Sequence, residues 1–217
     1  MDPTTASPTT PRQRTPDYTL DIFADPTFAK DIIKAVLHTI FFHRYFTPIV
    51  PVSRDLLDLT LPAIDDVDLE TLIDQRASAL VRELGSGEGG GLGRGGGYGA
   101  GGMGGMSGAS RGQLAVQFYE KRRRKGYTFF GKGDEEVCWE QWTLDVTLAT
   151  PRTETDVIKV RRAMEKSLQK TTMKIIDIVN RDKGHIPPIT TTESNPFPYQ
   201  ILVNPKNDGW SQRMGIF

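Results

Sequence analysis

The sequence predicts an α+β domain, with helices on one face of an antiparallel sheet. Three observations predict it. Short segments in which apolar and polar residues alternate lie beside longer segments with a helical apolar period. The two kinds are mixed without the regularity of βαβ units, and one helical pattern in the C-terminal half, from roughly Glu154 to Lys183, is long enough to cross a whole sheet.

Tyr18, Leu20 and Ile22 alternate with polar neighbours in a first strand that closes before Pro26. A helix follows from about Thr27 to Tyr45. At 100° per residue, Lys30, Asp31, Lys34 and His38 form one narrow polar stripe, and Ile32, Ile33, Val36, Leu37 and Ile40 cover most of the remaining surface. Phe41 and Phe42 flank the stripe at its end, so further structure or another protein must cover them. Leu57, Leu59 and Leu61 predict a short second strand stopping at Pro62, and a second helix spans about Val67 to Leu84, with Gly85 as its expected C-terminal cap.

Leu114, Val116 and Phe118 share one face of a strand, and Trp142, Leu144, Val146 and Leu148 one face of another. The two read as an antiparallel pair. The long helix starts at the potential cap Thr153 and packs through Val157, Val160, Met164, Leu168, Thr171, Ile175 and Val179. Gly184, Pro187 and Pro188 forbid its continuation, and Tyr199 to Val203 forms a last strand.

The chain of 217 residues reads as one domain with low-complexity additions. Residues 1–16, rich in Pro, Thr and Ser, predict a disordered tail. Residues 17–204 form the domain, interrupted by a Gly-rich disordered insert at 85–112, and residues 205–217 form a C-terminal tail. Gly91, Gly93 and Gly96 fall in GxGxxG register, which chance supplies in so Gly-rich a tract; the tract also follows a helical pattern rather than a strand.

A formal net charge of zero gives no global attraction for nucleic acid. The N-terminus lacks a signal peptide's apolar core, and no run approaches the length of a membrane helix. The lone Cys138 reads as a buried structural thiol in a reducing compartment, so a cytoplasmic protein is expected. His38, His43 and His185 do not present a metal-ligand spacing, and Asp134, Glu135 and Glu136 read as a solvated acidic turn. No catalytic residue, cofactor or metal is expected.

The informative stretch is Phe118 to Val146. Its basic run, Lys121, Arg122, Arg123, Arg124 and Lys125, reads as a solvated strand end or as a patch for acidic lipid headgroups or an acidic partner. The adjoining Tyr127, Phe129 and Phe130, bracketed by Gly126, Gly131 and Gly133, either fold back on their own sheet or form a finger whose rings insert into a partner.

The segments AVLHTIFFHR, QFYEKRRRK, EEVCWEQWTLDV and IIDIVNRDKGHIPPI resemble the autophagy-related protein 101 family of HORMA-domain proteins, from Tyr18 to about Val203 without the glycine insert. The resemblance implies a HORMA-like fold without enzymatic activity, a heterodimer with the HORMA domain of autophagy-related protein 13, and a place among the other subunits of the autophagy-initiation kinase complex. It implies residence in the cytoplasm and at the preautophagosomal structure. It also implies an aromatic finger that recruits downstream autophagy factors: the family's Trp-Pro-Phe tip aligns with Tyr127, Thr128 and Phe129, followed by Phe130. The chain ends about fourteen residues after Val203, so a peptide-wrapping belt is expected to be incomplete and the partner's domain to cover the exposed sheet edge. His38, Phe41, Phe42, His43 and Arg44 are the expected partner-facing surface. An alternative of another class is a membrane-surface adaptor whose basic-aromatic loop contacts acidic lipids transiently.

Overall fold

The computed structural model describes residues 15–86, 109–123, 134–190 and 195–205. Expectations for residues 1–14, 87–108 and 206–217, and for the loop 124–133 with Arg124, Lys125, Tyr127, Thr128, Phe129 and Phe130, lie outside the described residues, as do the side chains of Arg123 and Asp134.

The described elements run β1 (Asp17–Ala24), α1 (Ala29–Arg44), β2 (Pro51–Leu56), β3 (Leu59–Ile64), α2 (Val67–Gly85), β4 (Ser110–Arg123), β5 (Asp134–Leu148), α3 (Glu154–Arg181) and β6 (Tyr199–Val203). They form a mixed α+β domain whose main sheet has the order β1-β5-β4-β6, an arrangement consistent with a HORMA-like domain. β4 pairs antiparallel with β5 and β6, but β1 runs parallel to β5, so the sheet is mixed rather than wholly antiparallel.

One sheet face carries Leu20, Ile22, Leu114, Val116, Phe118, Trp142, Leu144, Val146 and Ile201, all buried with the apolar positions of the helices in one continuous core. The opposite face is polar, where Gln113 donates to Asp145 at 2.6 Å and Gln117 to Gln141 at 2.5 Å. Apolar-in, polar-out alternation follows from covering only one face.

Three local expectations change. The single strand around Leu59 is a hairpin: β2 pairs with β3 across a turn in which Leu57 and Asp58 have φ of 48° and 60°. Two positive φ values suit the right-handed twist of a tight hairpin but cost a residue with a Cβ; burial of the Leu57 side chain offsets that cost. α2 ends without a left-handed glycine cap, since Gly85 is its last residue and Ser86 caps it at φ −78°. Ser110 to Gly112 belong to β4, so the ends of the glycine tract are built into the fold. A Cβ on Gly112 would lie 2.8 Å from Leu80 Cδ1 and 3.0 Å from Leu84 Cδ2, so a larger residue there would have to displace these side-chain ends where α2 crosses β4.

The cap expected at Thr153 forms, and Asp66 caps α2, while Phe28 at the start of α1 makes no side-chain cap bond. Thr153 Oγ1 accepts from Asp156 N at 3.1 Å to start α3, and Asp66 Oδ1 accepts from Leu69 N at 2.8 Å to start α2. α3 buries Val160, Met164, Leu168, Thr171, Ile175 and Val179 as its periodicity predicts, while Val157 at its first turns is exposed.

Helix α3 also seals the outer edge of β1. Phe23 N donates to Ser167 Oγ at 3.3 Å, Thr171 Oγ1 donates to Asp21 O at 2.8 Å, and Lys174 Nζ donates to Thr19 O at 2.7 Å. Spacings of four and three place these side chains on one helix face, where they satisfy strand groups that would otherwise invite another chain.

The polar stripe of α1 faces α2. Asp74 takes Lys30 and Lys34 at 2.9 and 2.8 Å, and Glu70 takes Lys34, His38 and Arg54 at 2.8, 2.7 and 2.7 Å. Burial opposes ionisation of Glu70, yet hydrogen bonds from Arg54 and Lys34 outweigh it and hold its carboxyl at about 2. Burial lowers His38 below its ordinary value. Both folded values are depressed, so both groups stabilise the fold at high pH: the His38 contribution fades as pH falls below about 6.5, and the Glu70 contribution as pH falls from about 4.5 toward 2. Glu70→Gln should therefore lower the melting temperature at neutral pH and converge with the parent protein between pH 4.5 and 2, measured by thermal unfolding across pH.

Candidate functional site

β4 and β5 form the longest hairpin of the fold and carry the loop 124–133 between them. Pairing of β6 with β4 reaches Phe118 and that of β1 with β5 reaches Gln141. Beyond Tyr119, among the described residues, the hairpin continues as a ribbon of two strands for about four residues, roughly 13 Å.

Along this ribbon the register sets Lys121 opposite Glu136, Arg122 opposite Glu135, and Arg123 opposite Asp134. Asp134, Glu135 and Glu136, expected as a solvated turn, instead open β5, and with Lys121, Arg122 and Arg123 of the basic run they form one ladder of opposite charges. Lys121, Arg122, Glu135 and Glu136 are exposed and Arg122 also pairs with Glu120 on its own strand, so such pairs stabilise the ribbon only weakly, but carboxylates this close reduce the field of Lys121 and Arg122.

The ribbon's root is held tightly. A register shift between Phe118 and Tyr119 inserts one extra residue in β5, and consecutive Trp139 and Glu140 are both buried there instead of alternating. The Trp139 ring lies 5.7 Å from Phe118, 5.2 Å from Phe197 and 5.7 Å from His185. Phe41 extends the cluster to Phe118 at 5.4 Å and Tyr199 at 4.9 Å. Offset and edge-on rings in this range attract beyond their burial.

Glu140, fully buried, is the polar centre of this root. Its Oε1 accepts from Arg44 Nε at 2.8 Å and from Trp142 Nε1 at 2.6 Å; its Oε2 accepts from Arg44 Nε at 3.0 Å and from His185 Nε2 at 2.6 Å. An ionised carboxylate only accepts, so the His185 proton resides on Nε2. Arg44 donates a further bond to Asp182 O at 3.1 Å, and Tyr18 OH donates to Asp182 Oδ2 at 3.0 Å. Burial and the Asp182 bond push the Tyr18 phenol to about 12. The cluster ties the end of α1, the middle of β5, the start of β1 and the segment after α3 into one body.

These contacts correct the expected partner-facing surface. His38, Phe41 and Arg44 are 1%, 0% and 3% exposed, because α2, the aromatic cluster and Glu140 cover them within the chain. Phe42 and His43 are half-buried, with rings 5.3 Å apart. Cys138 is partly buried and burial raises its thiol to about 11, the property of a structural rather than a reactive cysteine. Among the described residues no three His, Cys, Asp or Glu side chains converge as a metal site, and no helix is long and apolar enough to cross a membrane.

Sequence reasoning missed the Glu140 centre, although one signal marks it: a glutamate on the same strand face as Trp142 and Leu144 breaks an otherwise apolar row. Glu140→Gln should destabilise the fold by about 3–5 kcal/mol, because the buried Arg44 guanidinium loses its counter-charge. Chemical denaturation of the two proteins measures the difference.

The chain matches the family model described as autophagy-related protein 101 over residues 21–193. It is 26% identical over 193 residues to autophagy-related protein 101 of Schizosaccharomyces pombe, covering 88% of this chain and 89% of that protein. It is 23% identical over 200 residues to autophagy-related protein 101 of Arabidopsis thaliana, covering 82% of each. The chain belongs to the autophagy-related protein 101 family, which carries a role in autophagy.

Proposed function

We propose that the chain is a non-catalytic scaffold of the autophagy-initiation kinase complex. It binds and stabilises the HORMA domain of autophagy-related protein 13, and it recruits downstream factors through Tyr127, Thr128, Phe129 and Phe130. The observation that carries this reading is the two-strand ribbon, rooted in the Glu140 cluster and projecting past the sheet toward a loop whose sequence is rich in aromatics and glycines. A stiff stem with an aromatic end supplies large contact area at low entropic cost. Phe42 and His43 are the members of the expected heterodimer surface retained in this proposal, together with two exposed apolar residues, Val50 just before β2 and Val67 at the start of α2, 59% and 77% accessible. β6 ends the sheet with no strand on its outer side among the described residues, which favours a partner's domain covering that edge. Work in the cytoplasm and at the preautophagosomal structure follows from the same proposal.

The lipid-adaptor reading draws less support, since the register places acidic residues opposite the basic strand end.

Adding the partner HORMA domain should raise the melting temperature by several degrees, because a ligand of the native state alone stabilises it; equal melting temperatures in differential scanning fluorimetry overturn the heterodimer. The variant combining Tyr127→Ala, Phe129→Ala and Phe130→Ala should keep the parent's melting temperature and lose capture of downstream factors in a pull-down from cytosol. A collapsed melting temperature would assign those rings to the core instead.

A further inference from the structure

The charge of this protein is balanced overall but not locally, and the imbalance lies on α3. Lys159, Arg162, Lys166 and Lys170 are all exposed and fall within an arc of about 80° at 100° per residue. Their spacing spans about 17 Å along the helix. Among the described residues none of the four makes an ion pair or a side-chain hydrogen bond. The nearby Glu165 is taken by Arg161 at 3.1 Å, and Lys174, the next basic position, is committed to the β1 edge. Arg162 and Lys166, Lys166 and Lys170, and Lys170 and Lys174 stand four residues apart, an arrangement of like charges that weakens a helix.

Elsewhere the same chain pairs its cations closely, as Lys30, Lys34 and Arg54 do with Asp74 and Glu70. On the hairpin, too, the basic strand faces an acidic one. A self-repelling stripe retained against that pattern is explained if a partner supplies the missing negative charge.

We propose that this stripe of α3 is a docking surface for an acidic polypeptide segment. An extended segment of about five residues matches its length. Ile158 and Met173, 55% and 52% exposed near either end, offer adaptable apolar contacts to side chains flanking the acidic ones. A membrane suits the face less well. Interfacial helices bury bulky aromatic or leucine side chains beside their cations, and this stripe carries none of these. The surface is separate from the hairpin ribbon and does not depend on the function proposed for it.

The test uses the full chain and a short fluorescein-labelled peptide of Asp and Glu with a few leucines, followed by anisotropy at low and high salt. Binding should weaken by about tenfold or more at high salt, as expected for exposed charges. The variant Lys159→Gln, Arg162→Gln, Lys166→Gln, Lys170→Gln should lose about tenfold or more in affinity while its melting temperature stays equal or rises, since like-charge contacts are removed. Lys121→Gln with Arg122→Gln should bind as the parent does. Failure of the parent to bind, unchanged affinity in the four-site variant, or an equal loss in the hairpin variant overturns the proposal. So does co-sedimentation of the parent, but not the four-site variant, with phosphatidylserine vesicles when the peptide is not bound.

Discussion

The Glu140 carboxylate holds the architecture together. Moving an ionised carboxylate and a guanidinium out of water costs several kcal/mol per ion, which only good geometry and filled lone pairs can offset. Here Arg44 and Trp142 donate to Oε1, and Arg44 and His185 to Oε2. Because the donors come from α1, β5 and the segment after α3, the charge is satisfied only when all three meet. A buried pair of this kind adds little to stability over an apolar substitute, but removal of one partner alone leaves the other charge buried and uncompensated.

That centre sits directly beneath the hairpin. The extra residue that turns both Trp139 and Glu140 inward also gives the ribbon its stacked aromatic root. The irregularity in β5 thus lies where the flanking strands stop pairing and the hairpin continues alone. The opposite side of the sheet is closed by other means, with hydroxyl and ammonium groups of α3 bonded to the edge of β1. On the outer face of α3, Lys159, Arg162, Lys166 and Lys170 have no ion-pair partner among the described residues.

Charge distribution separates the two basic features of the molecule. The cations of the β4 end stand opposite carboxylates across the ladder, and Lys159, Arg162, Lys166 and Lys170 of α3 have no such partner among the described residues. A run of like charge in sequence therefore says little about field until the strand opposite is known, whereas residues three and four apart on a long helix already declare one face.

Several features were legible in the chain itself, each for a local reason. The period of two in β4 and β5 and the period near 3.6 in α3 mark surfaces that must be buried, and Thr153 marks a helix start because its hydroxyl can bond the first free amides. The four family-like segments, WEQW among them, were equally readable. Tertiary structure alone decided the rest. Phe41 and Arg44 look like surface at the end of an amphipathic helix, yet the aromatic cluster and Glu140, about a hundred residues away in sequence, bury them. The hairpin at Leu57 escaped because its turn uses residues with side chains where glycine or asparagine would have signalled it. Sequence fixes periodicity because that depends on neighbours along one element; which face meets solvent depends on what the remainder of the chain brings against it.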